Sequence, residues 1–231
     1  MGAPGVRDGG VAFCRWLAHR GGVDPERARE RLVDRLERQG RIERGSTATA
    51  LRAVPRHAFL PDASVATAYA DQPQPIGDGQ TISAPHAVAW ISDELALSPD
   101  DHVLEVGTGC GYHAAVTAAI LDEGPVWSVE YRAPLAAAAR RRLARLDCDV
   151  SVRHGDGAEG WPAHAPYDAA YLTCAAASVP DAVVEQVRPG GRVVAPVGTD
   201  SQQLVTLHVG EGAVRRERHG AVRFVQMASE G

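Results

Sequence analysis

The chain has 231 residues, of which 45% are hydrophobic, 23% charged and 5% aromatic, and its net charge is -5. This composition predicts one large folded domain, or one domain with an extension, and it excludes a disordered chain and disfavours nucleic-acid binding as the main activity. All 24 basic residues are arginine, which excludes Schiff-base chemistry and a Walker-type phosphate loop because both need a lysine amine.

The first part of the chain is predicted to be an extension followed by helices. Residues 1–25 are rich in glycine and predict a loosely ordered extension. An aspartate followed by proline then starts a helix over 24–40, and a second short helix is expected over 46–54. Residues 60–80 contain many Pro, Asp and Gly residues without periodicity, which predicts a long loop, and such loops are often functional. A further helix is expected over 83–97.

From residue 98 onwards, short apolar runs alternate with helical segments, which is typical of a parallel sheet with crossover helices. The predicted strands are 102–106, 126–130, 149–152, 169–173 and 192–197, and the helices between them are 112–121, 133–146 and 180–187. Two further β-like runs, 203–209 and 222–227, suit an antiparallel pair at the sheet edge. The fold class is therefore α/β, a doubly wound Rossmann-like sheet over 98–231, mostly parallel with an antiparallel C-terminal edge, preceded by helices and a loop over 26–97.

A glycine-rich turn follows the first strand of this sheet and leads into a helix. It contains Gly107, Gly109 and Gly111, and glycines let the backbone turn sharply and approach a ligand near the N–H groups of a helix start. Glu130 ends the next strand, 19 residues after Gly111, where a carboxylate can accept hydrogen bonds from both hydroxyls of a ribose. Asp156-Gly157 follows the third strand, at a position suited to adenine. Each feature alone also fits an ordinary turn or strand end; together they favour an adenosine-containing ligand.

These residues resemble a known family. Residues 105–112 (EVGTGCGY) resemble the first motif of S-adenosylmethionine-dependent methyltransferases, and the chain is similar to the protein-L-isoaspartate O-methyltransferases over residues 26–227. The most distinctive match is residues 76–86 (IGDGQTISAPH), and an earlier one is residues 54–61 (VPRHAFLP). Gln226 replaces a proline common in the family, so no C-terminal residue is carried over as a site residue.

The resemblance implies a protein-repair activity: a methyl group moves from S-adenosylmethionine to the free carboxylate of L-isoaspartyl residues in damaged proteins and peptides. It implies that Ser83 is catalytic and that the cofactor is held by Gln80, Thr81, Ile82, Ser83, Glu105, Gly107, Thr108, Gly109, Gly111, Glu130, Asp156 and Gly157. A carboxylate with a pKa near 4 is already ionised at pH 7, so this reaction needs no general base. Ser83 also fits the N-cap of the following helix, and His86 is the only histidine expected near the site.

Other functions fit parts of the same sequence pattern. A methyltransferase acting on a small molecule or RNA would share the core without needing residues 80–83, and an inactive homologue would bind the cofactor only. A nicotinamide-dependent oxidoreductase is disfavoured because Tyr112 stands where a dinucleotide fingerprint has its third glycine. Arg140, Arg141 and Arg142 are interpreted as a solvated helix face, so no nucleic-acid partner is expected, and we expect a monomer.

Cysteine usage and the absence of long apolar runs indicate a location. The four cysteines, Cys14, Cys110, Cys148 and Cys174, form no C-x-x-C pair and have no metal-ligand spacing, which indicates reduced thiols and no metal site. No apolar run reaches the about 18 residues of a membrane span, and Arg15 interrupts the short apolar run near the start, unlike a signal peptide. We therefore expect a cytoplasmic protein that does not bind membranes.

Overall fold

A computed structural model describes residues 23–228. Except for its last three residues, the extension expected over 1–25 lies outside the described residues. The helices are α1 (Pro25–Arg38), α2 (Gly45–Ala53), α3 (Val65–Ala68), α4 (Pro85–Leu95), α5 (Tyr112–Ile120), α6 (Ala133–Arg145) and α7 (Asp181–Glu185). The strands are β1 (Gln74–Gly77), β2 (Gln80–Ile82), β3 (Val103–Val106), β4 (Val126–Glu130), β5 (Val150–His154), β6 (Tyr167–Leu172), β7 (Val187–Val197), β8 (Gln202–Val209) and β9 (Val214–Val222). None of the helices between residues 23 and 228 has the length and apolar character needed to cross a bilayer.

Seven strands form the central sheet, in the order β5-β4-β3-β6-β7-β8-β9. The first five strands in this order run parallel to their neighbours. The strand β8 pairs antiparallel with β7, and β9 pairs antiparallel with β8. All four residues of β3 are buried, as expected for a parallel strand covered on both faces. The predicted fold class is confirmed. Because the chain leaves β3 toward β4 and later returns to its other side as β6, the carboxyl end of β3 is the switch point where α/β sheets bind ligands.

The N-terminal helices pack against the glycine-turn side of the sheet. The Asp24 side chain accepts a hydrogen bond from the Glu26 N–H at 3.0 Å and caps α1, which confirms the predicted start of this helix. Its apolar face buries Leu32, Val33 and Leu36 in the same cluster as Tyr112 of α5. These helices therefore fix the position of α5, whose first turn follows the glycine-rich turn.

The expectation of an unstructured loop over 60–80 is wrong. The segment contains α3, capped by the Ser64 hydroxyl, and β1, which pairs antiparallel with β2. Asp78 and Gly79 both have left-handed backbone, with φ of 49° and 70°, as a tight two-residue hairpin turn requires. Strands of four and three residues are too short for a readable alternation of apolar and polar residues, so the turn is the only local signal.

The prediction of a second C-terminal strand over 222–227 is wrong in its position, because the strand lies earlier in the chain. The partner of β8 is β9, which carries the exposed Arg215, Arg216 and Arg218 and therefore lacks an apolar pattern. Charged side chains are common on edge strands because they hinder pairing with other chains. The apolar run 222–227 mostly follows β9; it packs against the sheet clusters and makes a single bridge between Gln226 and Ala175.

Candidate active site

A cleft of about 740 Å³, counting its open mouth, lies at the carboxyl ends of β3, β4 and β6. One wall is formed by residues 80–83, the floor by residues 106–110, and another wall by residues 225–228, which we call the C-terminal segment. The predicted site residues that line the cleft are Gln80, Thr81, Ile82, Ser83, Gly107, Thr108, Gly109, Glu130 and Gly157. The structure therefore brings most of the predicted set together.

The glycine-rich turn, residues 106–111, places its first five residues at the cleft floor, and each of its three glycines has a positive φ. The φ values of Gly107, Gly109 and Gly111 are 100°, 54° and 91°, a conformation that other residues adopt only with strain. A Cβ atom on Gly107 would collide with Oγ1 of Thr173. Gly111 does not line the cleft; a Cβ there would lie 3.1 Å from Leu143 of α6, so this glycine permits close helix packing.

Glu130 is held at the end of β4 by two backbone N–H groups. Its side chain is buried, with 6% of its surface exposed. Oε2 accepts a hydrogen bond from the Gly109 N–H at 2.7 Å, and Oε1 accepts one from the Arg132 N–H at 2.9 Å. Each carboxylate oxygen has a further acceptor position. Glu130 therefore links the glycine-rich turn to the β4–α6 loop and can still accept hydrogen bonds from a ligand in the cleft.

Glu105 lies beneath the cleft and does not line it. The carboxylate is fully buried and accepts hydrogen bonds from the hydroxyls of Ser128 and Tyr171. Burial raises the pKa of Glu105 to about 7, against the opposing effect of these two bonds. Ser128 also contacts the hydroxyl of Thr108. Glu105 thus supports the glycine-rich turn from below, and its predicted cofactor role stays a prediction.

Ser83 lies on the cleft wall between β2 and α4, and it is not a helix cap. The N-cap residue of α4 is Ala84. The first turn is instead satisfied from a distance, because Oδ1 of Asp71 accepts a hydrogen bond from the His86 N–H at 2.9 Å. Within residues 23–228 the Ser83 hydroxyl makes no hydrogen bond, so it is available to a ligand. The interpretation of Ser83 as a cap is wrong.

His86, the only histidine expected near the site, stands at the first turn of α4 and does not line the cleft, whereas His113 does, so this expectation is wrong. Its Nδ1 lies 2.9 Å from Oδ1 of Asp71. Burial alone would raise the pKa of Asp71, but the hydrogen bonds from the ring and backbone of His86 outweigh it, so this pKa lies below its usual value. The pair stabilises the start of the helix that follows Ser83.

Asp156 is also outside the cleft lining. Its Oδ1 accepts a hydrogen bond from the Ala158 N–H at 2.8 Å and caps a 3₁₀ turn over Gly157–Glu159. Its neighbour Gly157 lines the cleft and packs so closely on Val106 that a Cβ atom would collide with it. The adenine contact predicted for Asp156 stays a prediction.

Sequence reasoning missed the C-terminal segment and two residues after Glu130. Tyr131 and Arg132 line the cleft, and their position after the acidic strand end was the available signal. Two hydrogen bonds to the backbone of Ala175 fix the C-terminal segment. The Ala175 N–H donates to the Val225 carbonyl at 2.8 Å, and the Met227 N–H donates to the Ala175 carbonyl at 2.7 Å. These contacts are long-range, and the only local signal was an apolar run that had been predicted as a strand.

No group for nucleophilic or metal-assisted chemistry stands out among residues 23–228. Burial raises the pKa of Cys110 and that of Cys174, the latter to about 12, so both thiols stay protonated. Burial lowers the pKa of His113 to about 3, and its ring packs on Tyr171 with centroids 4.5 Å apart. No cluster of metal-ligating side chains occurs in this part of the chain. The arrangement is suited to binding and orienting reactants.

Comparison with known proteins identifies the family. The model of the family described as Protein-L-isoaspartate(D-aspartate) O-methyltransferase matches residues 27–231. The chain belongs to this family. A protein-L-isoaspartate O-methyltransferase 2 of Archaeoglobus fulgidus is 48% identical over 211 residues, covering 90% of this chain and 96% of that protein. The corresponding enzyme of Methanopyrus kandleri is 46% identical over 209 residues, covering 88% and 92%.

A solved structure agrees with this assignment at the level of the fold. A crystal structure from Plasmodium falciparum, described as a family member in complex with S-adenosyl-L-homocysteine, superposes with a TM-score of 0.78. The match covers 87% of this chain and 98% of that one at 22% identity, a level at which the likeness concerns the fold alone. The family resemblance predicted from the sequence is confirmed.

Proposed function

We propose that this protein transfers a methyl group from S-adenosylmethionine to the free carboxylate of L-isoaspartyl residues in damaged proteins and peptides. Membership of the family and the high identity to named family members support this activity. The observation that carries it is the wall formed by residues 80–83, which faces the same cleft as Glu130 and the glycine-rich turn. The backbone nitrogen of the next residue would then displace methanol from the methyl ester to form a succinimide, and hydrolysis of the succinimide would return a fraction of the molecules to normal aspartate.

The residues of the cleft fit this cofactor. Glu130 is a buried carboxylate with unused acceptor positions, as the two hydroxyls of a ribose require. The glycine-rich turn leaves Gly107 and Gly109 without side chains at the cleft floor, so a ligand can approach the backbone there. When bound, the cofactor supplies an electrophilic methyl group on a sulfonium sulfur. Glu130, Gly107, Gly109 and Gly157 would hold it.

The reaction requires this chain to orient and shield rather than to transfer protons. An isoaspartyl carboxylate is ionised at neutral pH and is itself the nucleophile. The free hydroxyl of Ser83 would donate a hydrogen bond to this carboxylate and set its direction of approach. The β1–β2 hairpin and the C-terminal segment would exclude water, so that positioning within about 3 Å and desolvation lower the barrier.

The location and assembly are proposed with the activity. A cytoplasmic location is supported by the free thiols of Cys110, Cys148 and Cys174, since reduced cysteines persist in reducing compartments. We propose a monomer that acts on isoaspartyl proteins and peptides and on no nucleic acid, in line with the net charge of -5.

The test is chromatography of one isoaspartyl peptide incubated with the protein and S-adenosylmethionine. The expected result is a methyl ester, followed by the succinimide and then by the normal aspartyl peptide. A matched reaction with Ser83→Ala should give the same products much more slowly. Methylation of RNA or of a small molecule, with the peptide unchanged, would contradict the proposal, and cofactor binding without any product would indicate an inactive homologue.

A further inference from the structure

Arg132 and Gln80 face each other at the cleft from two different parts of the chain. Arg132 lies in the loop between β4 and α6, and Gln80 is the first residue of β2. The side-chain amide of Gln80 is oriented with its oxygen toward hydrogen-bond donors and its nitrogen toward acceptors. In this orientation Oε1 of Gln80 accepts hydrogen bonds from Nε and Nη2 of Arg132, at 3.2 Å each. Both side chains are half-buried and line the cleft.

The Arg132 end of this contact is fixed at the centre of the cofactor site. Its backbone N–H donates to Glu130, whose other oxygen binds Gly109. Arg132 is also the N-cap residue of α6, with extended backbone. No carboxylate within residues 23–228 pairs with its guanidinium. The backbone of Arg132 is therefore fixed beside Glu130, and its guanidinium contacts Gln80 without a competing ion pair among the described residues.

The Gln80 end belongs to an element with few other attachments. The hairpin of β1 and β2 is a separate two-stranded sheet, a unit that is marginally stable on its own. In the described part of the chain, no other hydrogen bond joins residues 74–82 to the remainder. The apolar contacts of the hairpin come from the buried Ile82 and from Ile76. Ile76 packs over Gly109, because a Cβ atom added to this glycine would lie 3.2 Å from Cδ1 of Ile76. The fork of Arg132 thus supplies the polar attachment of the hairpin.

We propose that Arg132 is a positioning residue that clamps the hairpin over the cofactor through Gln80. Three residues after Gln80 comes Ser83, so the clamp also sets the position of the Ser83 hydroxyl. The proposal rests on the proposed function for its consequence in catalysis. Since a ligand on Glu130 lies beside the Arg132–Gln80 contact, its escape is easier when that contact opens. The guanidinium holds its Nε and Nη2 donors in one plane, and an amide oxygen has two acceptor positions, so both donors can bond to the same oxygen of Gln80.

The test combines a structural and a binding measurement on the full chain. Hydrogen–deuterium exchange of the amides in residues 74–82 is measured without ligand, and the affinity and release rate of S-adenosyl-L-homocysteine are measured by calorimetry and stopped-flow. The variants are Arg132→Ala, Gln80→Ala, the double variant, and the reciprocal exchange of Gln80→Arg with Arg132→Gln. Arg141→Ala, an exposed change on α6, is the matched control.

We expect each single variant to exchange faster in the hairpin and to bind S-adenosyl-L-homocysteine about 10-fold more weakly, mainly through faster release. The double variant should be no worse than either single one, the reciprocal exchange should recover part of the loss, and the control should match the unaltered protein. Turnover should show a raised KM for the donor with a smaller fall in kcat.

Unchanged hydrogen exchange in the hairpin, or losses of affinity that simply add in the double variant, would overturn the proposed clamp. Unaltered protein that binds S-adenosyl-L-homocysteine but leaves isoaspartyl peptide unmethylated would contradict the proposed function alone.

Discussion

The carboxylate of Glu130 accepts a hydrogen bond from the backbone N–H of Gly109 at 2.7 Å. This bond ties the end of β4 to the glycine-rich turn that follows β3, so the residue expected to bind the ribose also shapes the cleft floor. A substitution at Glu130 should therefore change both ligand contacts and the turn itself.

The first prediction concerns donor affinity. Glu130→Ala should weaken S-adenosylmethionine binding by about 1.5–3 kcal/mol, because it removes a charged acceptor of two hydroxyl groups. Glu130→Gln keeps one acceptor oxygen and should lose less. Isothermal calorimetry on both folded variants measures the difference. Equal affinity in the alanine variant and the unaltered protein would falsify the assignment of Glu130.

The second prediction separates a catalytic hydroxyl from a structural one. Ser83→Ala should slow single-turnover methylation by up to about 10²–10³-fold, with little change in melting temperature or donor affinity, since Ser83 caps no helix. Ser64→Ala is the matched control: this serine caps α3 and should lose up to ~1 kcal/mol of stability while keeping activity. A fully active Ser83→Ala enzyme would show that another group orients the acceptor.

The third prediction follows from the buried carboxyl of Glu105. Burial raises its pKa to about 7 from a usual value of 4.5, so between these values the folded state holds a proton that the unfolded state releases. The contribution of Glu105 to the free energy of unfolding is then greatest below pH 4.5 and falls as pH rises to about 7. The Glu105→Gln variant cannot ionise at this position. Chemical denaturation should therefore show that its free energy of unfolding, relative to that of the unaltered protein, rises between pH 4.5 and about 7, by a few kcal/mol at most. A difference that does not vary with pH would contradict the shifted pKa.

The fourth prediction concerns the glycine-rich turn. Gly107→Ala places a Cβ against Oγ1 of Thr173 at a φ of 100°, so it should destabilise the fold by at least ~1–3 kcal/mol and abolish donor binding. Gly40→Ala provides the comparison, because its φ is 64° but no atom lies within 4 Å of the added carbon. It should lose only about 1–2 kcal/mol, the cost of left-handed backbone for an L-residue, and bind the donor normally. Thermal melting measures the stability of the two variants, and calorimetry measures their affinity for the donor. Similar losses in both variants would contradict a specific effect of the collision with Thr173.

The central strands were predictable because β3, β4 and β6 are almost wholly buried and their sequences are apolar runs. The glycine-rich turn and Glu130 were predictable for a related reason: their roles depend on backbone conformation and on place relative to a strand end. Ser83 shows the limit of local reading. A serine just before a helix is a plausible cap, yet the carboxylate that satisfies the first turn of α4 belongs to Asp71, and the β1–β2 hairpin lies between the two in sequence.

The parts that were missed depend on long-range contacts. The strand β9 has a charged, exposed pattern because it forms an edge, and its pairing with β8 leaves no apolar period to detect. Arg132 gained significance only once Gln80 was placed opposite it. The C-terminal segment reaches the cleft through its bonds to Ala175, which no short window of sequence can show.

The most direct measurement of the central claim is the rate of methyl transfer from labelled S-adenosylmethionine to two peptides of identical sequence, one with an L-isoaspartyl and one with a normal aspartyl linkage. The proposed function predicts rapid labelling of the isoaspartyl peptide and far slower labelling of its twin. Equal rates on both peptides, or none on either, would contradict it.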